Sequence, residues 1–103
     1  CMSGVDEIEV PIAFSLGQNY PNPFNPTTTI EFTLPASGFT SLIIYNVMGQ
    51  KVRELVADRM QAGIHSVLWD GKDDNGNVVS SGIYLSRLIS GENVAAGRML
   101  LLK

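Results

Sequence analysis

The densest set of groups able to do chemistry is Asp70-Gly71-Lys72-Asp73-Asp74-Asn75-Gly76-Asn77. Carboxylates and amides on one loop could wrap a hard cation, and Asp70, Asp73 and Asp74 are the ligands a calcium site here would use. The spacing departs from an EF-hand loop, with Lys72 at a ligand position and no glutamate at the required distance. Turn chemistry accounts for the same residues. Asn-Gly and Asp-Gly supply the positive φ of tight hairpins, and an aspartate caps its own backbone. The segment is therefore read as a turn. His65 is the sole histidine, and its neighbour Ser66 points to the opposite face of any strand that holds both. A nucleophile and base need to touch, so His65 is expected to be a hydrogen-bonded structural residue. Cys1 is the only cysteine, which leaves neither an intrachain disulfide nor a cysteine-based zinc site. Tyr20, Phe24, Phe39 and Tyr45 could stack on sugar rings, but nothing in the sequence groups them on one face. No catalytic residue and no cofactor are expected, and the chain is read as a non-enzyme.

The elements that carry these residues repeat with a period of two. Ile30, Phe32 and Leu34 alternate with Thr29, Glu31 and Thr33, so one face is buried and one is wet. Leu42 and Ile44 alternate with Ser41 and Ile43 before a turn at Asn46-Val47-Met48-Gly49-Gln50. His65, Val67 and Trp69 share a face, as do Tyr84, Ser86 and Leu88 after a break at Ser80-Ser81-Gly82. A last strand runs from Val94 to Leu102, and Ala13 to Leu16 forms an extended start. Val52, Leu55, Val56 and Met60 have helix-like spacing, but they lie between glycines and strand patterns. That window is read as a strand followed by a loose polar loop over Ala57 to Ala62. Seven short strands bounded by Gly, Pro, Asn and Asp predict an immunoglobulin-like seven-stranded antiparallel β-sandwich. Trp69 is the expected core anchor. Tyr84 stands where a tyrosine corner would bond backbone in the preceding loop.

The 103 residues suit one domain, with 45% hydrophobic and 17% charged residues, a balance opposite to that of a disordered tail. Net charge is −3 with a pI near 4.9, and the seven basic residues are scattered, which argues against nucleic acid as partner. No apolar run reaches the length of a membrane span. Residues 1–13 are read as a linker or domain edge and 14–103 as the domain. Cys1 could instead be a lipidated first residue, but Met2 directly behind it favours an edge. No signal peptide is recognisable, so an address label for export is expected upstream in a longer parent.

Tyr20-Pro21-Asn22-Pro23-Phe24-Asn25-Pro26 cannot be helix or central strand, because each proline lacks an N–H and restricts the residue before it. It is a fixed loop or edge leading into the strand at Thr27. The run Leu16 to Ile30 that contains it resembles the opening of the C-terminal sorting domains of type IX secretion, the Por secretion tails. Ile44-Tyr45-Asn46-Val47-Met48-Gly49-Gln50-Lys51-Val52 is similar to their central turn. Gly63 to Gly71 and Ser81 to Leu88 resemble their paired strands, and the chain closes on Lys103 as those tails do. The same blocks resemble the immunoglobulin-like domain of flagellar hook-capping proteins. Tyr20, Pro21, Asn22, Pro23, Tyr45, Asn46, Gly49 and Trp69 carry the structural motif. Ile43 stands where that pattern shows an exposed polar residue, and is expected to mark an apolar patch that a partner covers.

The resemblance implies a sorting signal at the end of an exported cargo protein in a Gram-negative bacterium, destined for the cell surface or medium. Its partners would be an outer-membrane secretion translocon, a sortase-like peptidase and the cargo domain on its N-terminal side. Alternation can bury only one of the sets Met99/Leu101 and Leu100/Leu102, leaving the final strand a spare apolar face suited to strand addition. Gly82, Tyr84, Leu100, Leu101, Leu102 and Lys103 are the expected recognition residues. The alternative is a passive immunoglobulin-like structural or carbohydrate-binding module on an extracellular enzyme.

Overall fold

Alternation of buried and exposed side chains, with turn residues between, builds two antiparallel sheets in the computed structural model, which describes residues 13–22 and 27–102. The strands are β1 (Ser15–Leu16), β2 (Thr28–Leu34), β3 (Gly38–Asn46), β4 (Lys51–Met60), β5 (Gly63–Trp69), β6 (Gly82–Ser90) and β7 (Asn93–Leu101). One sheet has the order β1-β2-β5 and the other β4-β3-β6-β7. The expected all-β, seven-stranded sandwich is what forms among the described residues. The inner faces meet in one core of Ile30, Phe32, Leu34, Leu42, Ile44, Trp69, Tyr84, Leu88, Met99 and Leu101. These residues come from five strands far apart in sequence, so burying them removes enough apolar surface from water to hold the two layers together.

Trp69 is fully buried and meets the Tyr84 ring edge-on, with centroids 5.4 Å apart at 71°. The Tyr84 hydroxyl donates to the Ser80 carbonyl at 2.6 Å, which is the tyrosine corner expected from its position. Ser86 is buried on the same inner face. Gly97 lies opposite it in β7, and a Cβ there would meet Ser86 Oγ at 3.2 Å and Leu16 Cδ2 at 3.6 Å. This pair of small residues makes room for the Leu16 side chain, which brings β1 against β7.

The segment Ala57 to Ala62 corrects the sequence reading. It is not a loose loop, because β4 continues to Met60 with Ala57, Asp58, Arg59 and Met60 opposite Ser41, Thr40, Phe39 and Gly38. Polar side chains there reflect an exposed sheet edge rather than a break in pairing. The helix-like spacing of Val52, Leu55, Val56 and Met60 also has a cause. The β3–β4 register shifts between Leu42 and Ile43 and again between Ile44 and Tyr45, leaving Leu55 and Val52 without direct partners. Each extra residue resets the alternation, so all four apolar side chains pack against the core.

Candidate functional site

Many of the residues singled out by sequence gather at two places. One is the loop after Trp69, and the other is where the proline brace meets the final strand.

In the loop, polar side chains serve the backbone. Asp73 accepts from the Asn75 and Asn77 amides at 3.0 and 2.9 Å, and Gly76 takes a φ of 85°. Asp70 Oδ1 accepts from the Lys72 amide and from Arg53, at 3.2 and 3.1 Å. Asp74 Oδ1 accepts from the Glu54 amide at 3.0 Å, while its other oxygen is 3.9 Å from Lys51. Arg53 stands between Asp70 and Asp74, 3.1 and 4.0 Å from their carboxylates, while Asp73 serves its own turn, and no metal-sized cluster occurs among the described residues. Trp69 Nε1 donates to the Lys72 carbonyl at 2.9 Å, tying the loop to the core. Lys51 also pairs with Glu54 at 2.9 Å, and this hydrogen bond raises its pKa above the ordinary 10.5.

His65 is half-buried with its ring 5.5 Å from Phe32, and its Nε2 donates to the Gln61 carbonyl at 2.7 Å. Ser66 faces the other side of β5. In the central turn, Asn46 Oδ1 accepts from the Met48 and Gln50 amides at 2.9 and 3.0 Å. Gly49 has a φ of 82°, a conformation L side chains rarely adopt. Tyr45, from the same motif, is half-buried on the outward face of β3.

At the brace, the Tyr20 backbone exchanges two hydrogen bonds with Thr29, which fixes the chain beside β2. Asn19 is buried, and its Nδ2 donates to Thr28 Oγ1 at 3.0 Å and to the Pro21 carbonyl at 3.2 Å. The Thr28 hydroxyl donates to that same carbonyl at 2.9 Å. Gln18 Nε2 donates to Asn19 Oδ1 at 2.8 Å and to the Arg98 carbonyl at 3.3 Å, and Asn22 Oδ1 accepts from the Leu100 amide at 3.0 Å. Two side chains of the brace therefore occupy backbone groups on the outer edge of β7, a protection that edge strands need. Pro23, with Phe24 and Pro26, lies outside the described residues.

Sequence reasoning missed Gln18, Asn19 and Thr28. The signal was present as amides flanking a proline, since such side chains stand in for the backbone donors that the ring removes. Of the expected recognition residues, Leu101 takes the core side together with Met99, Leu100 is half-buried, and Leu102 is 48% exposed. Tyr84 and Leu101 lie inside the core, which corrects the expectation that these two side chains are open to recognition. Gly82 is half-buried, and Lys103 lies outside the described residues.

Residues 22–98 match the family of the FlgD Ig-like domain. No curated protein matches the chain. Among solved structures, dimeric latent PorU from Porphyromonas gingivalis is similar with a TM-score of 0.69 at 20% identity, over 95% of this chain and 10% of that one. PorZ, a surface component of the type-IX secretion system of the same organism, has a TM-score of 0.58 at 20% identity, over 87% of this chain and 11% of that one. FlgD from P. aeruginosa has a TM-score of 0.58 at 23% identity, over 74% of this chain and 64% of that one. The chain thus spans under two thirds of each of these proteins, and at such identities the likeness is one of fold.

Proposed function

The chain belongs to the FlgD Ig-like domain family, and we propose that it serves as a non-catalytic C-terminal sorting signal for type IX secretion. In this reading it directs a cargo domain on its N-terminal side through an outer-membrane translocon to the cell surface, where a sortase-like peptidase acts on it. The observation that carries the proposal is the state of the closing strand. β7 is a sheet edge whose backbone Gln18 and Asn22 occupy at Arg98 and Leu100, and past these bonds and the end of the strand Leu102 is exposed beside half-buried Leu100, which leaves the tail of the strand for a partner to dock on. The fold likeness to PorU and PorZ, and the sequence resemblance of the brace and turns to Por secretion tails, support it.

A second reading, a passive structural or carbohydrate-binding module, is favoured by the span of the family match, which stops at residue 98 and leaves out the tail. The two readings separate in a delivery assay. A reporter with an export signal is fused ahead of the chain in a bacterium carrying the type IX system. Surface reporter is expected for the intact chain and a large loss for deletion of residues 100–103 or for Leu102→Asp. Leu102 lies outside the core, so Leu102→Asp should keep the thermal midpoint of the intact chain. Normal delivery of folded Leu102→Asp together with normal delivery of the deletion would leave the passive module as the better reading.

A further inference from the structure

We propose that the outer face of the four-stranded sheet binds an acidic, apolar stretch of extended polypeptide. Alternation that sends Tyr84, Leu88, Met99 and Leu101 inward sends Ile83, Leu85, Val94 and Leu100 outward, with Ile43 and Ile89 beside them. Ile83, Leu85 and Val94 are 42, 37 and 55% exposed. Cross-strand register joins them, with Ile83 opposite Leu100, Leu85 opposite both Tyr45 and Arg98, and Ile89 opposite Val94. The apolar position expected at Ile43 is one corner of this larger surface.

Two arginines stand inside it. Arg87 lies opposite Ala96 and Arg98 opposite Leu85, so they are diagonal neighbours on one face. Both are exposed, and neither side chain has an ion pair or hydrogen bond among the described residues. On β4, by contrast, Lys51 and Arg53 are matched by Glu54, Asp70 and Asp74, while Arg59, opposite Phe39, has no ion pair among the described residues. A chain of net charge −3 thus presents unmatched positive charge among exposed aliphatic side chains. Asn22, Ile83, Arg98 and Leu100 line a hollow of about 400 Å³ at its edge.

Charge and area select the occupant. Three strands about 4.8 Å apart and seven residues long give a face on the order of 300 Å². That suits one extended segment and falls well short of the roughly 800 Å² per partner that a stable dimer buries. A second copy laid on this face would set arginines against arginines. Nucleic acid would satisfy the guanidinium groups but leave the isoleucine and leucine side chains uncovered. A polypeptide alternating carboxylates with apolar side chains answers both features.

The test is independent of secretion, so its failure leaves the sorting reading intact. The full chain is titrated with a fluorescent ten-residue peptide of alternating Val and Glu, with the same peptide carrying Lys for Glu, and with a single-stranded oligothymidylate. The Val-Glu peptide is expected to bind best, more weakly as salt rises, and to shift the amide resonances of Leu85, Arg87, Val94 and Arg98. Arg87→Glu with Arg98→Glu should weaken it about tenfold, as two exposed ion pairs would, and turn preference towards the Val-Lys peptide. Leu85→Ser should weaken both peptides, with thermal midpoints confirming that each variant is folded. Equal affinity for the two peptides, no binding, stronger binding of the oligonucleotide, resonance shifts confined to the three-stranded sheet, or self-association abolished by Leu85→Ser would each overturn the proposal.

Discussion

The loop from Asp70 to Asn77 and the brace from Gln18 to Asn22 are both short polar segments rich in amides or carboxylates, yet they use them differently. Asp73 bonds amides two and four residues away, and Asp70 reaches the amide of Lys72. Gln18 and Asn22 bond backbone groups 80 and 78 residues away. The bonds to Asp73 shape a turn that could form anywhere, although Asp70 and Asp74 also reach Arg53 and the Glu54 amide on β4. The bonds of Gln18 and Asn22 exist only when the first and last strands have met, and they couple the opening of the domain to its closing edge.

Trp69→Ala, which removes the anchor beneath the loop, has the largest expected effect. It should cost about 3–5 kcal/mol through the cavity it leaves, read as a fall in the urea midpoint. Asn19→Ala comes next, because it removes a buried amide that donates to both the Thr28 hydroxyl and the Pro21 carbonyl and leaves those two only each other. A loss of about 1–3 kcal/mol is expected, and a double variant with Thr28→Val that costs less than the two single losses added together would show that one network holds both side chains. The two regions separate most clearly in a paired experiment. Asn22→Ala should speed amide exchange at Leu100 while leaving Asn75 and Asn77 unchanged, and Asp73→Ala should do the reverse, each costing about 1 kcal/mol. Matched changes at both places would dissolve the distinction between local and long-range polar segments.

The smallest effect is at Lys51. Its pKa is raised chiefly by the hydrogen bond to Glu54, so the pair's contribution is fully present below 10.5, the ordinary lysine value, and is lost as pH rises through the raised one. Glu54→Gln should return the Lys51 titration towards 10.5 with no measurable change in thermal midpoint at neutral pH, because both groups lie at the surface.

Period-two alternation was enough to place the strands, since burying one face of a half-wet strand leaves little choice of pattern. It also identified Trp69 and Tyr84, because a large ring beside strand-ending glycines has few other places to go. The length of β4 was hidden for a physical reason. Bulges at Val52 and Leu55 break the period, and the polar stretch after Val56 looks the same in an exposed edge as in a loop. The turn at Asn46 to Gln50 was legible because its hydrogen bonds close within five residues. The role of Gln18 and Asn22 was not, because an amide side chain carries no mark of which distant backbone group it will meet.

The residues alone determined which side chains seek the interior, where the chain must turn, and that no helix competes with the strands, since these follow from hydrophobic period and local backbone sterics. The tertiary structure decided which strand stands at which edge, that Met99 and Leu101 rather than Leu100 and Leu102 take the core side, and that Arg87 and Arg98 share a face. Those outcomes depend on register between segments far apart in the chain, and register is fixed only when the two sheets close on a common core.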